Sequence, residues 1–278
     1  MNYENTFKNN NIEIRCIAEI DALDIIFRNH YSKIMPRLTK YFLDGFINGK
    51  CVGVVTCGYG TRPLHTIKKL FPSLKTKDYF EIGKMCMEES MPKNTESAFL
   101  SKIIKWLKIH EPNRKILFTW ADGILGKIGT VYMSSNFLFG GYIWTDLYIT
   151  DKGEKVHPRT SQGLTDKGDK ICGHRPTKKY MIDNGWSHYK GKQFRYIYFL
   201  CNKKEKKRLL SESAEKWGID YPKTCDILWE KQDLITGDWL SVPKMFYDQT
   251  VTTRANKKAV SNKSKIVGLK KAREFFDI

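Results

Sequence analysis

A histidine, a tyrosine and a serine follow one another at His30-Tyr31-Ser32, where a predicted helix ends. Histidine changes its charge near neutral pH and binds metal ions, and a tyrosine phenol can donate a proton or ligate iron. These residue types could therefore carry proton transfer or hold a metal. A packed or capping pair at a helix end is the alternative, and this motif alone does not decide between the two.

A carboxylate and a phenol lie ten residues apart at Asp122 and Tyr132, with three glycines between them. The apolar run at residues 116–120 predicts a buried strand that ends just before Asp122, and open α/β sheets bind ligands beyond the carboxyl ends of their strands. We expect Asp122 to transfer a proton or ligate a metal, and Tyr132 to return to the same cleft. Helix capping by Asp122 and core packing by Tyr132 are the alternatives.

Two further polar segments could bind a cofactor. Gly83 lies in the middle of a predicted strand at residues 79–88, where a glycine suggests a bulge or the close approach of a ligand. Asn94 and Ser97 lie at the start of the following helix, and helix N-termini bind anions. We predict cofactor contacts for Gly83 and Asn94 and a catalytic role for Ser97. Simple capping by Asn94 and Ser97 is the alternative.

The elements that must position these residues alternate between strands and helices. Asn48-Gly49 separates two short strands and predicts a hairpin, and Asp21 is a candidate helix cap. The order predicts a mixed central sheet with helices on both faces, the layout of the GNAT acyltransferase superfamily. The predicted strands are 11–18, 41–46, 51–56, 79–88, 116–120, 137–148 and, as the last clear strand, 193–200, and the predicted helices are 20–31, 95–108 and 203–216.

Residues 1–200 are predicted to form the catalytic domain, with a structureless insertion at 151–190, and residues 201–278 a basic C-terminal extension. The net charge is +18, of which +12 comes from residues 151–278. A chain this basic is attracted to polyanions, although a solvated lysine-rich surface would give the same count. The candidate DNA contacts are Lys178, Lys179 and Trp186 in the insertion and Lys257 and Lys258 in the extension.

The composition argues against several other classes of protein. No apolar run approaches the ~20 residues that a membrane helix needs, and the N-terminus lacks the pattern of a secretory signal. The seven cysteines include no Cys-x-x-Cys pair, which argues against a disulfide framework or a zinc-thiolate cluster. We therefore expect a reduced, cytoplasmic protein that does not enter a membrane.

Together these motifs resemble the Mom-type adenine-modification proteins of phages, over roughly residues 28–142. The resemblance implies a GNAT-like fold and the addition of a carbamoylmethyl group to N6 of adenine in double-stranded DNA, which shields phage DNA from host restriction. It also implies an iron requirement, for which His30, Tyr31 and Asp122 are the candidate ligands. The motifs that carry the resemblance are His30-Tyr31-Ser32, Glu81-Ile82-Gly83-Lys84, residues 92–97 and residues 121–136.

The chain also departs from expected patterns. Lys127 stands where a histidine is usual in this family, which puts a role for that position in doubt. Residues 90–96 lack the glycines that cradle a pyrophosphate, so acetyl-CoA is disfavoured and the group donor stays open. Two rivals remain: an N-acyltransferase acting on a small amine or a protein, and a non-catalytic DNA-binding protein. A homodimer is an open alternative to a monomer.

Overall fold

A computed structural model of the chain describes residues 12–60, 63–156, 175–243, 257 and 259–260. The strands in these ranges are β1 (Glu13–Cys16), β2 (Thr39–Ile47), β3 (Lys50–Gly58), β4 (Tyr79–Met87), β5 (Ile116–Asp122), β6 (Leu138–Ile149), β7 (Lys155–Val156), β8 (Ser187–Phe199), β9 (Trp229–Gln232) and β10 (Trp239–Val242). The helices are α1 (Glu19–Asn29), α2 (Pro63–Leu70), α3 (Thr95–His110), α4 (Thr130–Ser134), α5 (Lys178–Asp183) and α6 (Lys203–Glu212).

The strands form one mixed sheet in the order β1-β2-β3-β4-β5-β8-β6-β7, and β9 pairs with β8 and β10. Strands β4 and β5 are parallel, and every other pair in the described ranges is antiparallel. The expected mixed central sheet is therefore confirmed.

Helices cover both faces of this sheet, because neighbouring residues of a strand point to opposite sides. Phe42 and Val54 pack in the cluster that contains α1 residues such as Ile26. Their neighbours Leu43 and Val55 pack in the cluster that contains the apolar stripe of α3. The alternation of the strands thus explains the two-sided packing that the sequence predicts.

The strongest local signals in the sequence form as expected. Asn48 and Gly49 both have positive φ, 52° and 76°, and join β2 to β3 in the predicted hairpin. In β4 the pairing with β3 skips Gly83, since Thr56 lies opposite Lys84 and Cys57 opposite Ile82. The bulge expected from the glycine is therefore present.

Strands β4 and β5 separate soon after they meet. They pair only between Tyr79–Glu81 and Ile116–Phe118, although β4 continues to Met87 and β5 to Asp122. The later halves of both strands therefore border an opening in the sheet.

Other expectations were wrong. Ala18, not Asp21, is the N-cap of α1, and it makes no side-chain capping bond. Residues 193–200 are not the last strand, because the short strands β9 and β10 follow. The predicted structureless insertion contains β7, α5 and the start of β8, whereas residues 157–174 lie outside the described ranges. Strands β7, β9 and β10 and helix α5 have two to six residues each, too few to produce a clear periodic pattern.

Residues after 200 also join the packing of the sheet. Leu209 of α6 is buried in a cluster with Phe71 and Phe118, and β9 pairs with β8. The proposed division of the chain at residue 200 stays a prediction. In the parts of the chain that the structure describes, no helix has the length and apolar character needed to cross a membrane.

The bulge in β4 gives a test of this packing. A Cβ atom on Gly83 would lie 2.7 Å from Cγ of Pro36 and 3.1 Å from the Thr56 hydroxyl oxygen. We expect Gly83→Ala to lower the free energy of unfolding by about 1–3 kcal/mol, because the proline ring cannot yield without moving its loop. Urea unfolding measures this. Gly218→Ala is the control, since the nearest atom there is 4.0 Å away, and equal stabilities for the two variants would contradict the packing.

Candidate active site

The opening between β4 and β5 contains a cavity of about 470 Å³. Its walls come from the loop after α1, the bulge of β4, the end of β5 and helix α4. Four of the predicted catalytic residues and the predicted cofactor residue Gly83 line this one cavity. The four are His30, Tyr31, Asp122 and Tyr132.

Asp122 makes the contact that joins the two sides of the cavity. Its Oδ2 accepts a hydrogen bond from the Tyr31 hydroxyl at 3.2 Å, across 91 residues of sequence. Its Oδ1 accepts a hydrogen bond at 3.1 Å from the amide of Ile124, in the 3₁₀ turn that follows β5. Asp122 is therefore a capping residue and a cavity residue at once, because its two oxygens serve different partners.

His30 is held as a neutral imidazole. Its ring stacks on Tyr31, with 4.4 Å between the centroids, and its Nδ1 lies 3.1 Å from the amide nitrogen of Ser32. Burial lowers the pKa of His30 to about 3, and the nearby charge of Lys84 adds to this effect. When Nδ1–H donates to the Ser32 carbonyl, 3.0 Å away, Nε2 of the neutral ring carries the lone pair and can offer it to a metal.

Lys84 is a site residue that the sequence analysis named within a motif but to which it gave no role. It is only 5% exposed, and its ammonium donates to the Ser32 carbonyl at 2.7 Å and lies 3.5 Å from Nδ1 of His30. Burial lowers the pKa of Lys84 to about 7. The sequence does contain an indication of this role, because a lysine stands within a predicted strand whose other residues are mostly apolar.

Two more lysines surround the Tyr31–Asp122 pair. The ammonium of Lys127 lies 5.4 Å from the centroid of the Tyr31 ring. Burial lowers the pKa of Lys155, and the Asp122 carboxylate acts in the opposite direction. Lys127, whose role was in doubt, therefore contributes positive charge at the cavity.

Tyr132 belongs to the core as well as to the cavity wall. It is 9% exposed, and its ring lies 5.5 Å from the rings of Phe137 and Tyr196, centroid to centroid. Burial raises the pKa of its phenol, and a hydrogen bond with Thr119 opposes that shift. The core-packing alternative is thus realised, and the phenol stays protonated at neutral pH.

Asn94 and Ser97 line a second cavity of about 470 Å³, which His30, Tyr31 and Lys127 also border. Asn94 is at the N-cap of α3 with φ 71°, yet its side chain makes no capping bond. The Ser97 hydroxyl donates to the Asn94 carbonyl at 3.0 Å. The capping alternative therefore does not hold for these side chains. Ser97 does not line the cavity that contains Asp122, and its catalytic role stays a prediction, as does the cofactor contact of Asn94.

The predicted DNA contacts outside the cavity have different surroundings. Lys178 and Lys179 are exposed, and Lys179 forms an ion pair with Asp183 at 2.8 Å. Trp186 is only 8% exposed and packs against Tyr180 and Met181, so its assignment as a base-stacking residue was wrong. Lys257 is exposed, whereas Lys258 lies outside the described residues.

The site also bears on the expected iron. Among the described residues no group of three or more His, Cys, Asp or Glu side chains could hold a metal. The ligand set that the resemblance implies also includes the Tyr31 phenol, which already contacts Asp122. With the neutral imidazole of His30 this gives one nitrogen and two oxygen donors, a set that iron accepts.

Lys84 makes protein stability depend on pH. Its folded-state pKa of about 7 lies below the value of about 10.4 for an unfolded lysine, so the unfolded chain binds the proton more tightly. Stability from this group therefore rises with pH above about 7. We expect the wild type to gain about 2 kcal/mol relative to Lys84→Met between about pH 7 and pH 9.

Urea unfolding at several pH values measures this difference. Lys50→Met is the matched control, because Lys50 is exposed at the start of β3. Its stability should follow that of the wild type at every pH. A Lys84→Met variant with the same pH dependence as the wild type would contradict a lowered pKa for Lys84.

Comparisons with known proteins place the chain in a family. It matches the family described as the Mom protein family over residues 11–223. Methylcarbamoylase mom of Escherichia phage Mu is 30% identical over 188 residues, which are 68% of this chain and 75% of that protein.

Similar solved structures include AAC(6')-Ib in complex with ribostamycin and coenzyme A, with 11% identity and a TM-score of 0.36, covering 48% of this chain and 86% of that chain. An N-acetyltransferase from Staphylococcus aureus Mu50 has 14% identity and a TM-score of 0.35, covering 69% and 99%. Likeness at these scores carries no argument about activity. The family match and the phage Mu relative together show that this chain belongs to the Mom protein family.

Proposed function

We propose that this chain adds a carbamoylmethyl group to the exocyclic N6 of adenine in DNA and so protects phage DNA from host restriction. The membership of the chain in the Mom protein family supports the proposal, as does its similarity to the phage Mu relative, which is named a methylcarbamoylase. It is supported independently by a cavity that combines a carboxylate, two phenols and a neutral imidazole.

The observation that carries the proposal is the contact between the Tyr31 hydroxyl and Asp122 Oδ2. Adenine N6 is a weak nucleophile because its lone pair is delocalised into the ring, so a base must take its proton as the new bond forms. The Asp122 carboxylate is the proton acceptor in our proposal. The Tyr31 phenol holds that carboxylate in position on the open side of β5.

In the proposed step the N6 nitrogen forms a bond to the methylene carbon of the donor. The bond from that carbon to its leaving group breaks, and the leaving group keeps the electron pair. One N6 proton passes to Asp122. The ammonium group of Lys127 stabilises negative charge on the leaving group, since it lies at this cavity.

Iron enters the proposal as the alternative role of Asp122, which would then hold the metal with His30 and Tyr31 instead of accepting the N6 proton. The imidazole is unprotonated at neutral pH, and the two oxygen donors are already in contact. Bound iron would supply a Lewis acid or a one-electron centre at the cavity. Burial of Lys84 lowers its pKa to about 7, which weakens its repulsion of a cation beside His30.

The adenine has to leave the double helix to reach this cavity. A base in duplex DNA is stacked and paired, and enzymes that modify bases flip the target out at a cost of a few kcal/mol. A cavity of about 470 Å³ has room for one purine ring and the transferred group. We therefore propose double-stranded DNA with a flipped adenine as the substrate.

Removal of the Asp122 charge tests the reaction. Nucleoside mass spectrometry of plasmid DNA from cells that express the wild type should show a deoxyadenosine heavier by a carbamoylmethyl group. Asp122→Asn should lower its amount at least about 100-fold, the usual contribution of a positioned acid or base. Asp220→Asn, an exposed site in the same chain, should leave the amount unchanged.

Two outcomes would overturn the proposal. If deoxyadenosine stays unmodified in cells that contain folded wild-type protein, the proposed reaction is wrong. Tight binding of acetyl-CoA by the protein would then favour the N-acyltransferase rival. Near-normal modification by Asp122→Asn would remove Asp122 from the mechanism.

Metal content tests the ligand set separately from activity. The purified wild type, loaded anaerobically with ferrous iron and desalted, should retain the metal in elemental analysis. Asp122→Asn and Tyr31→Phe should each retain at least about tenfold less, the scale on which ligand-sphere changes alter metal affinity. Asp220→Asn is again the control. Equal iron content in all four proteins would show that Asp122 and Tyr31 are not iron ligands.

A further inference from the structure

A row of aromatic rings and lysines lies on one face of the sheet beyond the end of β5. Lys192 has its ammonium 4.2 Å from the centroid of the Tyr142 ring and 6.0 Å from that of Trp144. Lys190 lies 4.9 Å from the Trp144 centroid and 4.2 Å from that of Trp239. We name Tyr142, Lys192, Trp144, Lys190 and Trp239 the aromatic–lysine row.

Three strands build this row. Trp144 of β6 is directly opposite Lys192 of β8, and side chains at opposite positions share a face of the sheet. Trp239 comes from β10, which reaches β8 through β9. The row is therefore fixed to rigid elements. Its β10 member lies beyond residues 11–223, the part of the chain that matches the Mom protein family.

The aromatic rings of the row are more exposed than packing of the core alone explains. Tyr142 is 42% exposed and Trp144 is 38% exposed. Clustered exposed aromatic residues mark interaction surfaces, because water contact with large rings is unfavourable. The two rings lie 5.9 Å apart, centroid to centroid, and can be covered by one partner.

The two lysines beside the rings are fixed in place, and one of them keeps an uncompensated positive charge. Lys190 forms an ion pair with Glu230 at 2.5 Å, whereas Lys192, which is 7% exposed, donates to the Asp226 carbonyl at 3.0 Å. The nearby carboxylate of Asp146 is paired with Arg175 at 2.7 Å. Exposed rings beside a cation complement a chain of flat bases joined by phosphates, the arrangement found in single-strand binding surfaces.

The row leads to the candidate active site. Strand β9 pairs with β8 at Tyr189–Gly191. It lies on the same edge of β8 as β5, whose pairing with β8 ends at Asp122. The indole nitrogen of Trp229 donates to the Ile124 carbonyl at 3.2 Å, which fixes β9 against the turn after Asp122. Thr224 borders the cavity, two residues before Asp226.

We infer that the aromatic–lysine row binds unpaired bases of the DNA strand next to the flipped adenine. This inference rests on the proposed function. Stacking on Tyr142 and Trp144 would offset the cost of unpairing, and the positive charge of Lys192 would attract the phosphates of the same strand. The partner is thus single-stranded DNA, bound at a subsite separate from the cavity.

Fluorescence anisotropy with a short labelled single-stranded oligonucleotide tests the subsite in the full chain without catalysis. Trp144→Ala and Tyr142→Ala should each weaken binding about tenfold, the effect of losing one stacked base. Trp144→Phe should keep most of the affinity, because phenylalanine still stacks. Ile235→Ala is the control, since Ile235 is 87% exposed between β9 and β10. Circular dichroism establishes that each variant is folded.

Equal affinities of the alanine variants and the wild type would overturn the inference. An equal loss of affinity for a blunt duplex of the same sequence would overturn the assignment to unpaired bases. If the wild type modifies deoxyadenosine but the alanine variants bind the oligonucleotide as tightly as the wild type, the DNA-binding role of the row is wrong and the proposed function stands. If Trp144→Ala weakens binding of the oligonucleotide but the wild type yields no modified deoxyadenosine, the DNA-binding role of the row stands and the proposed function is wrong.

Discussion

Strands β4 and β5 hydrogen-bond over only three residues each before they separate, and the candidate site depends on that separation. A continuous sheet would fill this space with paired backbone. The opening instead gives the loop after α1 access to the end of β5, so that the Tyr31 hydroxyl meets Asp122. The bulge at Gly83 belongs to the same arrangement, because it shifts the register of β4 just where the two strands part.

The opening also places ionisable groups in surroundings that change their pKa values. Burial lowers the pKa of His30 to about 3 and that of Lys84 to about 7, so both groups can be uncharged at the pH at which the enzyme would work. Such shifts come from lost hydration of the charged form and are common at functional sites. The cavity thus joins the Asp122 carboxylate at the end of β5 to an imidazole and an amine whose charged forms are disfavoured by burial.

Beyond β5 the sheet continues through β9 and β10, and this extension gives the protein a second surface next to the first. His188 stabilises the junction, since its ring contacts Gln232 at 2.8 Å and Asp146 at 3.1 Å. The aromatic–lysine row therefore has a rigid base. The candidate active site and the aromatic–lysine row lie on one continuous sheet, and no hinge within the described residues has to bring them together.

The sequence by itself determined the features that depend on neighbouring residues. Asn48-Gly49 specifies its hairpin through positive φ, the apolar stripe of α3 specifies a helix, and Asp122 follows a buried strand. Only the tertiary structure decided which distant groups meet: the contact of Tyr31 with Asp122, the burial of Lys84 beside His30, and the burial of Trp186, which the sequence had assigned to DNA. Turn and helix conformations can be predicted from the sequence because they depend on the preferences of neighbouring residues. The pKa of a buried group and the exposure of a ring depend instead on what the whole fold packs around them.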